Sequence, residues 1–223
     1  MHLYLDTAEI DQIRKGVKLG VVSGVTTNPS LVYKAGWTDY KSAVQEICSI
    51  VKGPVSVEVL GQEAKSMIEE ARAMSKWSEH VVIKIPMCDA GLEAISALKK
   101  SKDKEDANIK VNLTLCFSLN QALLGARAGV DYVSPFVGRL DDVGEDGMAL
   151  VGDIVSCFDR YGFGTQVIAA SIRHPLHCVA AAKKGAHIAT VPYSVLTQMI
   201  NHPLTTVGIA RFLEDAQKAA GKG

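Results

Sequence analysis

The chain alternates between two hydrophobic rhythms. Short β-branched runs with apolar side chains at every second position read as strands, and stretches with apolar residues three and four apart read as helices. The strands are Leu3–Asp6, Val21–Thr26, Pro54–Val59, Val81–Pro86, Ile109–Leu115, Asp131–Pro135, Gln166–Ser171 and His187–Pro192. Between them the spacing predicts a helix from an Asp6-Thr7 cap to about Leu19, then Asp39–Val51, Gln62–Trp77, Asp89–Lys99, Leu119–Ala128 and Gly147–Tyr161. Further helices start at Pro175 and span Tyr193–Ile200. Lys100–Asn108 reads as an exposed loop with solvated charges, and a last helix covers roughly Leu204–Lys218. This alternation implies a parallel sheet of βαβ units. About eight units in 223 residues fit the lower size range of a closed (β/α)8 TIM barrel with an additional C-terminal helix, an α/β fold in one domain. An open doubly wound sheet is disfavoured, because the first turn lacks G-x-G-x-x-G and no P-loop occurs.

Parity gathers the polar exceptions. A one-residue step along a strand changes the face. In Val55-Ser56-Val57-Glu58-Val59 the valines share one face and Ser56 and Glu58 the other; in Val111-Asn112-Leu113-Thr114-Leu115 the exceptions are Asn112 and Thr114. Asp6 shares a face with Tyr4, Asn28 with Gly24 and Thr26, and Ser134 with Tyr132 and Phe136. Lys84 shares its face with Val82, opposite Val81, Ile83 and Ile85. Burying an ammonium is costly, so this lysine is either an outward surface charge or a functional amine. In a parallel barrel the all-apolar face packs on the outer helices, the other lines the interior, and sites lie at the C-terminal strand ends. Asp6, Asn28, Glu58, Lys84, Asn112, Thr114, Ser134 and Ser171 therefore converge on one pocket. One such residue is explained by a satisfied core hydrogen bond. Repetition on nearly every strand is not.

Composition narrows the class without naming a chemistry. The chain is 48% hydrophobic and 22% charged, with 24 Lys and Arg balancing 24 Asp and Glu, as in ordinary soluble globular proteins. Zero formal charge argues against nucleic-acid or membrane-surface binding. No apolar run reaches the length of a transmembrane helix, and Met1-His2-Leu3-Tyr4 does not open a signal peptide. The five cysteines are scattered and never form C-x-x-C, as expected of reduced thiols in a cytoplasmic protein. His174 and His177 are one helical turn apart, but no Cys or carboxylate completes a set, so no metal is expected.

A lysine in a partly desolvated pocket is an amine nucleophile able to form a Schiff base with a carbonyl substrate. The protonated imine is an electron sink, and a carbon–carbon bond two atoms away breaks to leave an enamine. Two carboxylates would divide the proton transfers, one at the hydroxyl that becomes an aldehyde, the other through water during carbinolamine formation and dehydration. Arg139 follows the sixth strand and Arg173 the seventh. Each is either a loop salt bridge or half of a phosphate clamp, and Arg173 lies beside a helix N-terminus near Pro175. Two on one rim favour a phosphorylated sugar.

Four stretches resemble the signatures of the transaldolase family. They are Gly24-Val25-Thr26-Thr27-Asn28-Pro29-Ser30, Val82-Ile83-Lys84-Ile85-Pro86, Asn112-Leu113-Thr114-Leu115 with Phe117-Ser118, and Ser134-Pro135-Phe136-Val137-Gly138-Arg139-Leu140-Asp141. The similarity spans the chain and is to the small, single-domain type. It implies that Lys84 is the Schiff-base lysine, Asp6 the base for carbon–carbon cleavage, and Glu58 with Thr114 the holders of the water used in imine formation. Asn28, Asn112 and Ser134 would bind the dihydroxyacetone part, with Thr26 and Phe136 also in the substrate-binding set, and Arg139, Ser171 and Arg173 the phosphate. The implied reaction moves dihydroxyacetone from sedoheptulose 7-phosphate to glyceraldehyde 3-phosphate in the non-oxidative pentose phosphate pathway, without metal or organic cofactor. Related fructose-6-phosphate aldolases, which release free dihydroxyacetone, typically carry Gln, Tyr and Ala where this chain has Glu58, Phe136 and Ser134. Departures from the family pattern are Cys88, where Thr is common, and a longer Lys100–Asn108 loop, placed at the end of the barrel away from chemistry.

Two other readings stand beside transfer: a free-dihydroxyacetone aldolase, and a barrel that only binds or isomerises a sugar phosphate with Lys84 as electrostatic support. The last helix carries Val207, Ile209, Phe212 and Leu213, more apolar surface than a solvated helix needs. It packs either on its own barrel or, as the resemblance to small transaldolases implies, on a neighbour in a homo-oligomer, pentamer or decamer.

Overall fold

A computed structural model describes residues 1–220. The first half runs β1 (His2–Asp6), α1 (Ile10–Lys18), β2 (Val22–Thr26), α2 (Pro29–Lys34), α3 (Tyr40–Val51), β3 (Val55–Glu58), α4 (Ala64–Ser75), β4 (Val81–Pro86) and α5 (Asp89–Lys99). It continues through α6 (Lys104–Asn108), β5 (Val111–Cys116), α7 (Leu119–Ala128), β6 (Tyr132–Pro135), α8 (Val137–Asp141) and α9 (Gly147–Tyr161). The last part is β7 (Gln166–Ala169), α10 (Pro175–Lys183), β8 (Ile188–Val191), α11 (Tyr193–Ile200) and α12 (Pro203–Ala220). All eight strands pair in parallel with their sequence neighbours, and β1 closes on β8. This is the closed (β/α)8 barrel that the alternation implied.

The apolar parity face packs outward. Val55, Val57, Ile83, Ile85, Val111, Leu113, Val133 and Val167 are fully buried in one continuous core with the inner faces of the helices. Inside the barrel, a smaller cluster of Tyr4, Ile168 and Ile188 with Tyr132 forms the floor beneath the polar residues. Filling that floor requires Gly24, which pairs with Tyr4 across β1 and β2. A Cβ there would stand 2.6 Å and 2.7 Å from the Tyr4 ring and 2.8 Å from the Pro54 carbonyl oxygen.

Several local features differ from the sequence reading. The first helix starts at Ile10, not at an Asp6-Thr7 cap, with Glu9 at its N-cap position. Asp6 is instead the last residue of β1, and its carboxylate accepts from Thr26 inside the barrel. Thr7 Oγ1 accepts from the Glu9 N–H at 3.2 Å and donates to Gln12. The Lys100–Asn108 tract is not merely a solvated loop. It contains α6, capped by the Asp103 carboxylate on the Glu105 N–H, and Asp106 is buried with two bonds from Arg72 at 2.8 and 2.7 Å. Short helices α2 and α8 appear directly after β2 and β6, too brief for a periodic signal. Among the described residues no helix is long and apolar enough to cross a membrane. No residue of α12 is buried, so it does not pack on its own barrel.

Gly24→Ala is expected to lower stability by about 1–3 kcal/mol, the range for overpacking a dense core. Equilibrium urea unfolding at constant m-value measures it.

Candidate active site

Register places the two opposite charges side by side. Glu58 ends β3 and is the Cα partner of Lys84 on β4, which in turn pairs with Asn112 on β5. Lys84 Nζ lies 3.0 Å from Glu58 Oε2 and donates to the Thr27 carbonyl at 3.1 Å. Its side chain is 8% exposed, so the lysine is inside the barrel and not a surface charge. The backbone N–H of Glu58 donates to the Tyr40 hydroxyl at 3.0 Å, which anchors the strand end from α3.

Asp6 faces the same space from β1. Thr26 Oγ1 donates to Asp6 Oδ1 at 2.8 Å and stands 2.6 Å from Thr190 Oγ1. With the Thr26 hydrogen directed at Asp6, Thr190 becomes the donor of the second contact, and the relay points at the carboxylate. Burial pushes the Asp6 pKa up, and nearby Glu58 adds to this; the Thr26 bond and the charge of Lys84 oppose it without cancelling it.

The wall opposite is a chain of amide and hydroxyls. Ser134 Oγ donates to Asn112 Oδ1 at 2.8 Å, and Asn112 Nδ2 donates to Ser56 Oγ at 3.2 Å. Thr114 is fully buried, and its Oγ1 has no hydrogen-bond partner among the protein atoms. The residue after it, Leu115, takes a left-handed φ of 55°, where the β5–β6 register shifts. Such strain in a bulky residue needs surrounding support and is common at sites.

Asn28 divides its side chain between structure and site. Its Oδ1 accepts from the Leu31 N–H at 2.9 Å and caps α2, with Pro29 at the first position, which leaves Nδ2 for the pocket. Arg139 stands on α8 with its guanidinium 5.1 Å from the centroid of the Phe136 ring, and Phe117 meets Phe136 edge-on. Ser171 follows β7 at a left-handed φ of 58°.

A pocket of about 130 Å³ is lined by Asp6, Thr26, Asn28, Lys84, Asn112 and Ser134, with Phe136, Arg139, Ala170, Ser171 and Thr190 completing it. A shallower lobe of about 310 Å³ shares Asn28, Lys84, Phe136 and Arg139 and adds Glu58 and Leu115. Lys84 borders both. Of the residues picked from the sequence, two line neither lobe: Thr114, which is fully buried, and Arg173, which is half exposed and pairs with Asp142 at 2.7 Å. Thr190, Tyr40 and Ser56 were not singled out as site residues. Thr190 is the one polar residue in Ile188–Val191 and shares a face with Ile188, the same parity signal that marked the others. Among the described residues, no group of three or more His, Cys, Asp or Glu could hold a metal ion.

Comparison with known proteins adds ancestry to this geometry. Residues 3–222 match the family model described as transaldolase/fructose-6-phosphate aldolase. A probable transaldolase of Dehalococcoides mccartyi is 60% identical over 216 residues, 96% of this chain and 97% of that one. One from a Thermoanaerobacter species is 54% identical over 222 residues, the full length of both. One from Methanococcus maripaludis is 53% identical over 96% of this chain and 97% of its own. Among solved structures, a putative fructose-1,6-biphosphate aldolase from Coccidioides immitis superposes with a TM-score of 0.58 at 13% identity, covering 92% of this chain and 81% of that one. A thiamine phosphate pyrophosphorylase from Pyrococcus furiosus gives a TM-score of 0.58 at 14% identity, covering 89% and 93%. Both likenesses concern the fold alone.

The raised pKa of Asp6 makes its charge a burden on the folded state. The folded protein holds the Asp6 proton more tightly than the unfolded chain, so the contribution of Asp6 to stability falls as pH rises from the ordinary 3.8 through the raised value, then levels off. Asp6→Asn should therefore unfold at higher urea than wild type near neutral pH, with the gap closing toward about pH 4. A gap that does not change with pH would contradict the assignment.

Proposed function

The chain belongs to the transaldolase/fructose-6-phosphate aldolase family, and from that membership we propose that it is a transaldolase working through a Schiff base on Lys84. Its reaction carries dihydroxyacetone from sedoheptulose 7-phosphate to glyceraldehyde 3-phosphate, giving erythrose 4-phosphate and fructose 6-phosphate. The observation that carries this reading is the buried Lys84 amine 3.0 Å from Glu58, at the border of two lobes and facing Asp6.

In the first half-reaction, Lys84 Nζ passes a proton to Glu58 and adds to the ketone carbon, and the carbinolamine takes that proton back on its hydroxyl and loses water to give the protonated imine. Glu58 passes protons to and from that water, and the partnerless Thr114 hydroxyl is its second anchor. Asp6 takes the hydroxyl proton of the fourth carbon as the bond between the third and fourth carbons breaks. The bonding electrons flow into the imine and the phosphorylated aldehyde leaves. A raised Asp6 pKa suits a base that must hold this proton and return it. Asn28 Nδ2, Asn112 and Ser134 hold the three-carbon enamine until glyceraldehyde 3-phosphate arrives, and the same steps run in reverse.

Arg139 and Ser171 take the substrate phosphate, and Arg173 joins them by leaving its exposed pair with Asp142, a contact worth little in water. Glu58, Phe136 and Ser134 together favour transfer over release of free dihydroxyacetone. The reaction belongs to the non-oxidative pentose phosphate pathway and runs in the cytoplasm, where five unpaired thiols stay reduced. The exposed Leu204, Val207, Phe212 and Leu213 of α12 pack on a second copy in a homo-oligomer.

Borohydride reduction with fructose 6-phosphate should fix a three-carbon adduct on Lys84, seen by peptide mass. Binding without an adduct would remove both the transaldolase and the aldolase readings. Turnover of fructose 6-phosphate should require erythrose 4-phosphate; turnover without an acceptor would identify an aldolase. Arg139→Ala should raise KM for phosphorylated substrates about 10–100-fold, the loss of a charge-assisted hydrogen bond. Phe212→Asp with Leu213→Asp should lower the mass of the assembly in light scattering, and an unchanged mass would exclude α12 from the interface.

A further inference from the structure

The phosphate rim is made of two segments. Arg139 stands on α8, while Ser171 and Arg173 stand between β7 and α10. Backbone bonds join them on one side: Val137 N–H to the Ala170 carbonyl at 3.0 Å and Gly138 N–H to the Ser171 carbonyl at 3.1 Å. Two side chains add further links: Arg173 pairs with Asp142 at 2.7 Å, and His177 of α10 reaches both segments. Its Nε2 lies 3.0 Å from Asp141 Oδ2 at the end of α8, and its Nδ1 accepts from the Arg173 N–H at 3.3 Å. The other Asp141 oxygen accepts from the Gly147 N–H at the start of α9. A backbone N–H only donates, so Nδ1 is the bare nitrogen and Nε2 carries the hydrogen. The imidazole is 12% exposed and the proposed chemistry does not use it.

We propose that His177 is a positioning residue, a neutral clamp that holds the Ser171–Arg173 loop against α8 and ties phosphate binding to its own protonation state. The inference rests on the assignment of Arg139, Ser171 and Arg173 to the substrate phosphate. Protonation puts a hydrogen on Nδ1, turns its acceptor into a donor facing the Arg173 N–H, and opens the loop side of the clamp while the Asp141 contact persists. The groups that face the imidazole are the His174 ring, tilted at 48° with its centroid 3.8 Å away, Asp141, and Arg173 with its partner Asp142. Burial, His174 and the Arg173 charge hold the His177 pKa below the ordinary 6.5, outweighing Asp141. The clamp is therefore closed at neutral pH and opens in acid. Linkage is reciprocal: if protonation weakens phosphate binding, phosphate binding must lower the proton affinity of His177. Simple attraction to an arriving anion would raise it instead.

The test follows the His177 resonance by NMR of the histidine-labelled, full-length enzyme, assigned with His177→Asn. The ligand is glucitol 6-phosphate, which has no carbonyl for Lys84. Saturation should shift the titration midpoint to lower pH; an upward or absent shift overturns the proposal. In kinetics with fructose 6-phosphate and acceptor, His177→Leu should raise KM on the order of fivefold at neutral pH, as for one lost neutral hydrogen bond, with the effect in KM more than kcat. His177→Asn keeps an acceptor near Nδ1 but cannot titrate. It should restore KM toward wild type and remove the acid-side rise that wild type shows beyond the ionisation of the substrate phosphate near about pH 6. Superimposable wild-type and His177→Asn profiles overturn the clamp. If Arg139→Ala leaves KM unchanged, the phosphate assignment falls and the clamp with it; a normal Arg139 effect with superimposable His177 profiles sinks the clamp alone.

Discussion

Lys84 and Glu58 meet 3.0 Å apart inside the barrel, and the surrounding structure answers to the demand this pair makes. Two charges withdrawn from water are tolerated only with good geometry and further polar partners. The barrel supplies both. Adjacent parallel strands fix Glu58 and Lys84 as register partners, and the Thr27 carbonyl takes a Lys84 hydrogen. Removing one partner would leave the other charge buried without compensation, which is strongly destabilising.

The same confinement separates the roles of the two carboxylates. Glu58 is in direct contact with the lysine, whereas Asp6 depends on the Thr190–Thr26 relay and carries a raised pKa because burial outweighs that support. One acid group touches the amine, and the other lines the same pocket from β1.

Away from the reacting centre, the site is held by segments that follow the strands. Phe117 braces Phe136, Phe136 carries Arg139, and the backbone of α8 is tied to the residues after β7. The left-handed Leu115 and Ser171 sit where β5 and β7 pass into these segments. Rigid strands thus position the polar wall, while strained junctions aim the rim.

The barrel, the parity faces and most of the pocket were legible in the sequence, because side-chain alternation and helical spacing are local properties of the backbone. Lys84, Asp6, Glu58, Asn112 and Ser134 each broke the apolar rhythm of a strand, and the same rule reaches Thr190 on β8 when applied there. What only the tertiary structure decided are contacts between distant elements. Asp6 caps no helix because Thr26, twenty residues away in sequence, binds its carboxylate within the barrel. Asp106 in a charged tract is buried because Arg72 of α4 lies over it. Arg173 pairs with Asp142, His177 reaches Asp141, and α12 leaves its own barrel bare. Periodicity assigns a residue to a face; which residue of another element it meets depends on strand register, helix placement and loop path, and these are set by packing of the whole chain.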